Sequence, residues 1–299
     1  MKLLGTVSAL AILGMAAPVL ALDIGGGFTL SGNLEYERVS VESTDLGIGL
    51  LDGDVSYQHS SGFGAFFGTE AISYSGSSAE AFYGALSYSG NFGKIQIGAP
   101  RSALNDYVDA PAIGGVDFFD FQLAPFTGSY LPVVLLGSDE TAYGLRYDGT
   151  FGAASVGVSV HDIEGATVVD AGMNYALGQT KLMAGIENVN GGGGSSVSSY
   201  FLGAEHDFGQ VTAGAILGNS ELVGDAQTVQ AYAIYSPTDR LDLTASLLHV
   251  DISGTSGDLY GVDANFDLSE TVYVEAGYLG GDLFGSSADI YSVSLGVNF

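Results

Sequence analysis

The chain has 299 residues and carries 7 Lys+Arg against 34 Asp+Glu, a formal net charge of −27 at pH 7. Such a polyanion lacks the basic footprint that nucleic-acid recognition requires, and the absence of cysteine excludes disulfides, thiolate metal sites and thiol nucleophiles. Disorder is excluded as well, because 46% of the residues are hydrophobic and 17 Tyr and 16 Phe stand among them.

The first element, Met1 to Ala21, reads as a signal peptide. Lys2 supplies the positive start, Leu3 to Leu13 the apolar core, and Val19-Leu20-Ala21 a small-residue site with cleavage expected before Leu22. The stretch is short for a membrane helix and Pro18 sits near its end. Beyond it no apolar run is long enough for a spanning helix, yet the mean hydropathy is +0.31. A closed barrel reconciles the two: strands that alternate apolar and polar face lipid without a continuous apolar run.

Period-two alternation begins at Phe28, Leu30, Leu34 and Tyr36, set against Thr29, Ser31, Asn33 and Glu35. It recurs at Phe82, Leu86 and Tyr88, at Tyr143, Leu145 and Tyr147 against Arg146, and at Val169, Ala171, Met173 and Tyr175 against Asp170 and Asn174. Leu182, Ala184 and Ile186 then alternate with Lys181 and Glu187. The pattern runs on to Tyr291, Val293, Leu295, Val297 and Phe299. Helices are expected to be essentially absent. Seven tight turns, such as His59-Gly64 and Asp148-Phe151, separate eight longer links, such as Ser40-Asp45, Ser75-Ala79 and Asn188-Ser198, which implies sixteen strands. Short turns belong in the periplasm and longer loops outside, so both termini are periplasmic.

One link differs from the others. Residues Ala99 to Asp139 hold four of the 6 prolines, Pro100, Pro111, Pro125 and Pro132, and so cannot form a central strand. Loops this long are usually functional. It is expected to be the third external loop, folded inward as a constriction, between the fifth and sixth strands. Asp106, Asp109, Asp117 and Asp120 are its candidate pore-lining acids, with Glu35 on the lumen parity of the first strand. Arg101 and Arg146 are the candidate balancing cations, and Phe118, Phe119, Phe121, Leu123 and Phe126 the anchor against the wall. The lumen parity also offers Asp170, Glu187, Asp242 and Asp263.

Phe92-Gly93-Lys94-Ile95-Gln96-Ile97-Gly98, just before this loop, and the closing strand Tyr291 to Phe299 with its terminal aromatic carry a family likeness. The mature chain, 22–299, resembles the sixteen-stranded general porins of Gram-negative outer membranes, closest to the alphaproteobacterial type. The resemblance implies an all-β, closed, antiparallel transmembrane barrel that forms a homotrimer of water-filled channels. It also implies outer-membrane lipid as surroundings and barrel-assembly machinery as a partner during biogenesis. One departure is the scarcity of arginine, four in all, where such porins often carry an arginine ladder facing the acidic loop.

No catalytic constellation accompanies these features. His59, His161, His206 and His249 lie in four separate segments and read as solvated, and Gly191-Gly194 reads as a flexible loop lacking the lysine of a phosphate site. No cofactor is expected, although acidic external loops could group oxygens around Ca²⁺. The reading is therefore not an enzyme but a diffusion channel for ions and small polar solutes, preferring cations. A sugar-specific barrel would need an aromatic slide in the lumen, whereas the aromatics here mostly share the lipid parity. An enzymatic or adhesive barrel is the more remote alternative.

Overall fold

The computed structural model describes residues 21–299 apart from 42, 43, 139, 164, 192–195 and 223, and does not describe the side chains of 120–122, 124 and 125. Residues 1–20 of the expected signal peptide lie outside the described residues. The strands are β1 (Leu22–Gly25), β2 (Phe28–Val41), β3 (Thr44–Gln58), β4 (Phe63–Tyr74), β5 (Ser77–Gly90) and β6 (Gly93–Ala99). After the long link follow β7 (Tyr143–Phe151), β8 (Ala154–Ile163), β9 (Ala166–Leu177), β10 (Thr180–Gly191), β11 (Ser196–Asp207) and β12 (Val211–Ser220). The last five are β13 (Ala226–Thr238), β14 (Leu241–Ile252), β15 (Thr255–Asp267), β16 (Val272–Leu283) and β17 (Ser286–Asn298).

Strands β2 to β17 are the sixteen staves of a closed antiparallel barrel. Each pairs with its sequence neighbour, and β17 returns to β2 with Ile290 opposite Val41 and Asn298 opposite Asn33. The terminal residue completes the seam: Gly32 N–H donates to the Phe299 carbonyl at 2.7 Å, and Phe299 N–H to the Gly32 carbonyl at 2.9 Å. Closure leaves no unpaired edge for lipid to meet. The short β1 was not expected; it adds a hairpin strand against the start of β2, with Leu22 opposite Leu30.

The alternation sorts the faces as the sequence implied. Leu34, Tyr36, Phe82, Leu86, Tyr143, Leu145, Leu202, Tyr291, Val293 and Leu295 point outward and are exposed to the surroundings, while Glu35, Glu37, Arg146, Asp170 and Glu187 point inward and are buried. No described helix is long and apolar enough to cross a membrane.

Three expectations are corrected. Three external links among the described residues are as tight as the periplasmic turns, because the strands run further than the polar composition suggested. Residues 75–76, 253–254 and 284–285 turn in two steps with both φ positive, 50° and 79°, 52° and 87°, 54° and 83°. That is the primed turn whose twist matches the flanking strands, and glycine fills its second position each time.

Helices are not absent either. The long link contains α1 (Asp117–Thr127) and α2 (Tyr130–Leu136), besides single 3-10 turns at 104–106 and 113–115. Ser129 caps α2 by accepting the Leu131 N–H at 3.2 Å, and Pro132 falls in the first turn, where a missing N–H costs nothing.

The inward face is also less polar than alternation alone suggests. Ile48 and Leu50 of β3, Ile72 of β4, Leu248 and Val250 of β14, Leu259 of β15, Leu279 of β16 and Ile290 of β17 point inward. They form one buried cluster with Ile113, Val116, Leu123, Leu131, Val133 and Leu135 of the link. Water does not need to wet these wall residues because the link covers them.

Candidate functional site

The link can be followed from its base. Arg101, two residues beyond β6, reaches β3 and β4. Its Nη2 lies 2.5 Å from Asp52 Oδ1 and 2.9 Å from Asp54 Oδ1, and its Nη1 donates to Glu70. The guanidinium sits 4.5 Å from the centroid of the Tyr83 ring, a cation–π contact, and the Tyr83 hydroxyl donates to Glu70 at 3.0 Å. Register makes the slot: Asp52 stands opposite Glu70 and Asp54 opposite Gly68, where a Cβ would approach Arg101 Nη2 to 3.1 Å. Burial by itself would pull the Arg101 guanidinium down, but Glu70, Asp52 and Asp54 hold it above its ordinary value.

Arg146 of β7 forms a second junction. It pairs with Asp106 of the link and with Asp148 of its own strand, the latter at 2.7 Å, and donates to the Ser102 carbonyl at 3.0 Å. The next turn, 104–106, lies over three inward glycines. A Cβ on Gly157 or Gly172 would run into the Tyr107 ring, and one on Gly185 into Leu104 and Val108. Leu104 N–H donates to Asp170 at 2.9 Å and Ala103 N–H to Ser159 at 3.0 Å.

The far end crosses the barrel by backbone contact. Gly114 and Gly115, with φ of 67° and 58°, lie on β15 and β16, where Gly261 and Gly277 offer no side chain to obstruct them. Gly114 N–H donates to Ser246 at 3.1 Å, and the Ser292 hydroxyl to the Gly115 carbonyl at 2.9 Å. Phe118 N–H then donates to Glu37 at 3.1 Å. The return is fixed at Glu187, which accepts the Ser129 hydroxyl at 2.5 Å and the Tyr130 N–H at 2.8 Å. The aromatic anchor lies where it was expected: Phe118, Phe119 and Phe126 pack on the buried cluster, Phe118 5.6 Å from the Tyr74 ring, whereas the Phe121 side chain lies outside the described residues.

The candidate residues therefore separate. Arg101, Asp106 and Arg146 meet at the base. Asp117 and Glu35 sit at the far end, where Glu35 accepts the Tyr273 hydroxyl and Glu37 has its other oxygen, Oε1, buried without a hydrogen-bond partner. None of the ion pairs among the described residues reaches this group. Burial first, then Glu35, Glu275 and Glu37, push the Asp117 carboxyl well above the usual carboxylate range. Asp109 is half-buried between the two ends, and the Asp120 side chain lies outside the described residues.

Sequence reasoning missed Asp52, Asp54, Glu70 and Asp148. It placed Asp170 and Glu187 correctly on the lumen face, but they hold the link's backbone rather than stand in water, since a buried carboxylate needs donors. Glycines on the inward parity were the available signal: Gly68, Gly157, Gly172, Gly185, Gly261 and Gly277 mark where another chain segment lies. His161 is a further correction. It is fully buried rather than solvated, with Nε2 3.8 Å from Asp170. Among the described residues no group of three or more His, Cys, Asp or Glu is placed to hold a metal ion, so the alternative of Ca²⁺ at acidic external loops finds no such group there.

An apolar outer band, a closed seam and an interior crossed by one chain segment define a transmembrane β-barrel of the channel-forming class. The chain belongs to the Gram-negative porins, whose family model matches residues 6–282. No curated protein matches it. Among solved structures, mutants of the Rhodopseudomonas blastica porin superpose with TM-scores of 0.71 and 0.70 at 16% and 15% identity, each covering 91% of this chain and 100% of the other. A triple mutant of the same porin gives 0.67 at 14% identity, with the same coverage. At such identity the likeness speaks for the fold alone. Family and fold together make this an outer-membrane channel and not an enzyme.

Proposed function

We propose that the barrel passes ions and small hydrophilic solutes by passive diffusion, with residues 99–139 as its constriction, and that it prefers cations. The observation that carries the preference is the charge balance where the link meets the wall. Arg101 is shared by Asp52, Asp54 and Glu70, and Arg146 by Asp106 and Asp148, so carboxylates outnumber the guanidiniums. Fixed charge at a narrow section decides which ion enters. Each unit charge is worth about 1 kcal/mol on an ion at ~4 Å in bulk-like water, and more between low-dielectric walls.

Two further points belong to this proposal. The leader, residues 1–21, is removed on export, and the mature chain assembles as a trimer through the outer-membrane assembly machinery, without a cofactor. Single-channel recording in a planar bilayer tests the functional reading. In a KCl gradient the reversal potential takes the sign of potassium preference, and the preference weakens in molar salt, where the Debye length shrinks to roughly 3 Å. A chloride-preferring channel sinks the assignment of cation preference while leaving the barrel intact.

A further inference from the structure

The acids on the lumen face are not equivalent, because the link holds three of them and the wall itself a fourth. Asp170 accepts the Leu104 N–H, Glu187 the Tyr130 N–H and Ser129 hydroxyl, Glu37 the Phe118 N–H, and Glu35 the Tyr273 hydroxyl. All four are buried, Glu37 completely at 0% exposure. A buried carboxylate committed to such donors offers a passing ion little access.

Asp52 and Asp54 differ in both respects. Their side chains keep 29% and 35% exposure, and the hydrogen bonds and ion pairs found for them come from Arg101 alone. They are two residues apart on one strand face, so both point the same way into the lumen. Nearby, Arg146 pairs with Asp106 and Asp148, and Lys94 stands opposite Asp148 across β6 and β7. That half of the junction matches two cations to two carboxylates. The other half sets one guanidinium against Asp52, Asp54 and Glu70, leaving an uncompensated negative charge whose exposed members are the two aspartates.

We infer that Asp52 and Asp54 of the wall, and not the acids of the inward segment, are the residues that determine ion selectivity, with Arg101 acting as a tethered counter-cation that attenuates them and positions the base of the segment. This rests on the reading of the channel as cation-preferring. It places the selectivity charge on the rigid barrel, where strand geometry holds it steady. It also sets an arginine of the segment against acids of the wall, Asp52 and Asp54, beside the expected pairing of the wall's Arg146 with Asp106 of the segment.

The test is the potassium-to-chloride permeability ratio of the full-length channel in a KCl gradient, read from the reversal potential together with unit conductance. The double variant Asp52→Asn, Asp54→Asn is expected to lower the ratio by about fivefold or more, and Asp117→Asn to leave it within about 1.5-fold, because a half-buried carboxyl among carboxyls carries little steady charge. Arg101→Gln is expected to raise the ratio. Should the double variant release the segment, seen as a jump in unit conductance, Asp54→Asn alone decides. It leaves Arg101 bound to Asp52 and Glu70, and is expected to lower the ratio about twofold at unchanged conductance. A cation-preferring wild type whose ratio is unchanged in Asp54→Asn, and in the double variant where the segment stays docked, overturns this inference but not the functional reading. A wild type that prefers chloride overturns the functional reading and the inference with it.

Discussion

The inward segment is held at its two ends by different physics. At its base the contacts are charged, hydrogen-bonded and partly open to water: Arg101 on Asp52, Asp54 and Glu70, and Arg146 on Asp106 and Asp148. At its far end the contacts are apolar or backbone, Gly114 lying on Gly261 and Gly277, with carboxyls beneath that no described cation pairs. A guanidinium keeps its charge throughout the accessible pH range, so the base cannot be titrated loose from the arginine side. The far end can be. Charge thus fixes where the segment starts, and dry packing fixes how far it crosses.

The largest expected effect comes from removing the far end altogether. Deleting residues 111–126 takes away the glycine contact and α1 but leaves Arg101 and Asp106 in place. Unit conductance should rise at least about twofold while the barrel still assembles. Assembly is checked by heat-modifiable mobility on gels. An unchanged conductance in a folded deletion would show that the far end does not narrow the path.

A smaller effect should follow pH, and its sign is fixed by Asp117. Its pKa in the docked segment is raised by burial and by Glu35, Glu275 and Glu37. The docked state therefore holds the proton where the undocked state would release it. The stabilisation of docking is fully present below the ordinary carboxyl pKa of about 4 and is lost as pH rises through the raised value. Conductance in symmetric molar KCl should accordingly increase from acid to alkaline pH, and Asp117→Asn should flatten the rise. A profile that falls on alkalinisation would contradict this account of the far end.

The smallest effect concerns the balanced half of the base. Arg146→Ala leaves Asp106 and Asp148 without their guanidinium, so the reversal potential should move further toward potassium, by less than about twofold in permeability ratio because Asp106 is largely solvated. A shift toward chloride would show that Arg146 acts on the pore through the position of the segment rather than through its charge.

Much of the barrel is legible in the residues alone. The parity of Leu34 and Tyr36 against Glu35, the number of staves, the partnership of the last strand with the first and the place of the long link all follow from period two and from prolines. These are local properties, because a strand's pleat decides the face of every side chain without reference to the rest of the molecule. Turn lengths were less legible, since Ser75-Gly76 and Phe284-Gly285 depend on backbone twist rather than on polarity.

What lies inside the barrel was decided by packing between residues distant in sequence. Parity assigned Asp170 and Glu187 to the lumen face, but it could not say that both would be consumed by the segment, nor did it single out Asp52, which is left beside water. Nor could it foresee that Ile48, Leu248 and Leu279, also pointing inward, would be dry. The sequence by itself determined which side of the wall each residue occupies. Only the tertiary structure decided which inward residues meet water, because that depends on where residues 99–139 come to rest, and burial is a property of the whole assembly of contacts rather than of any one strand.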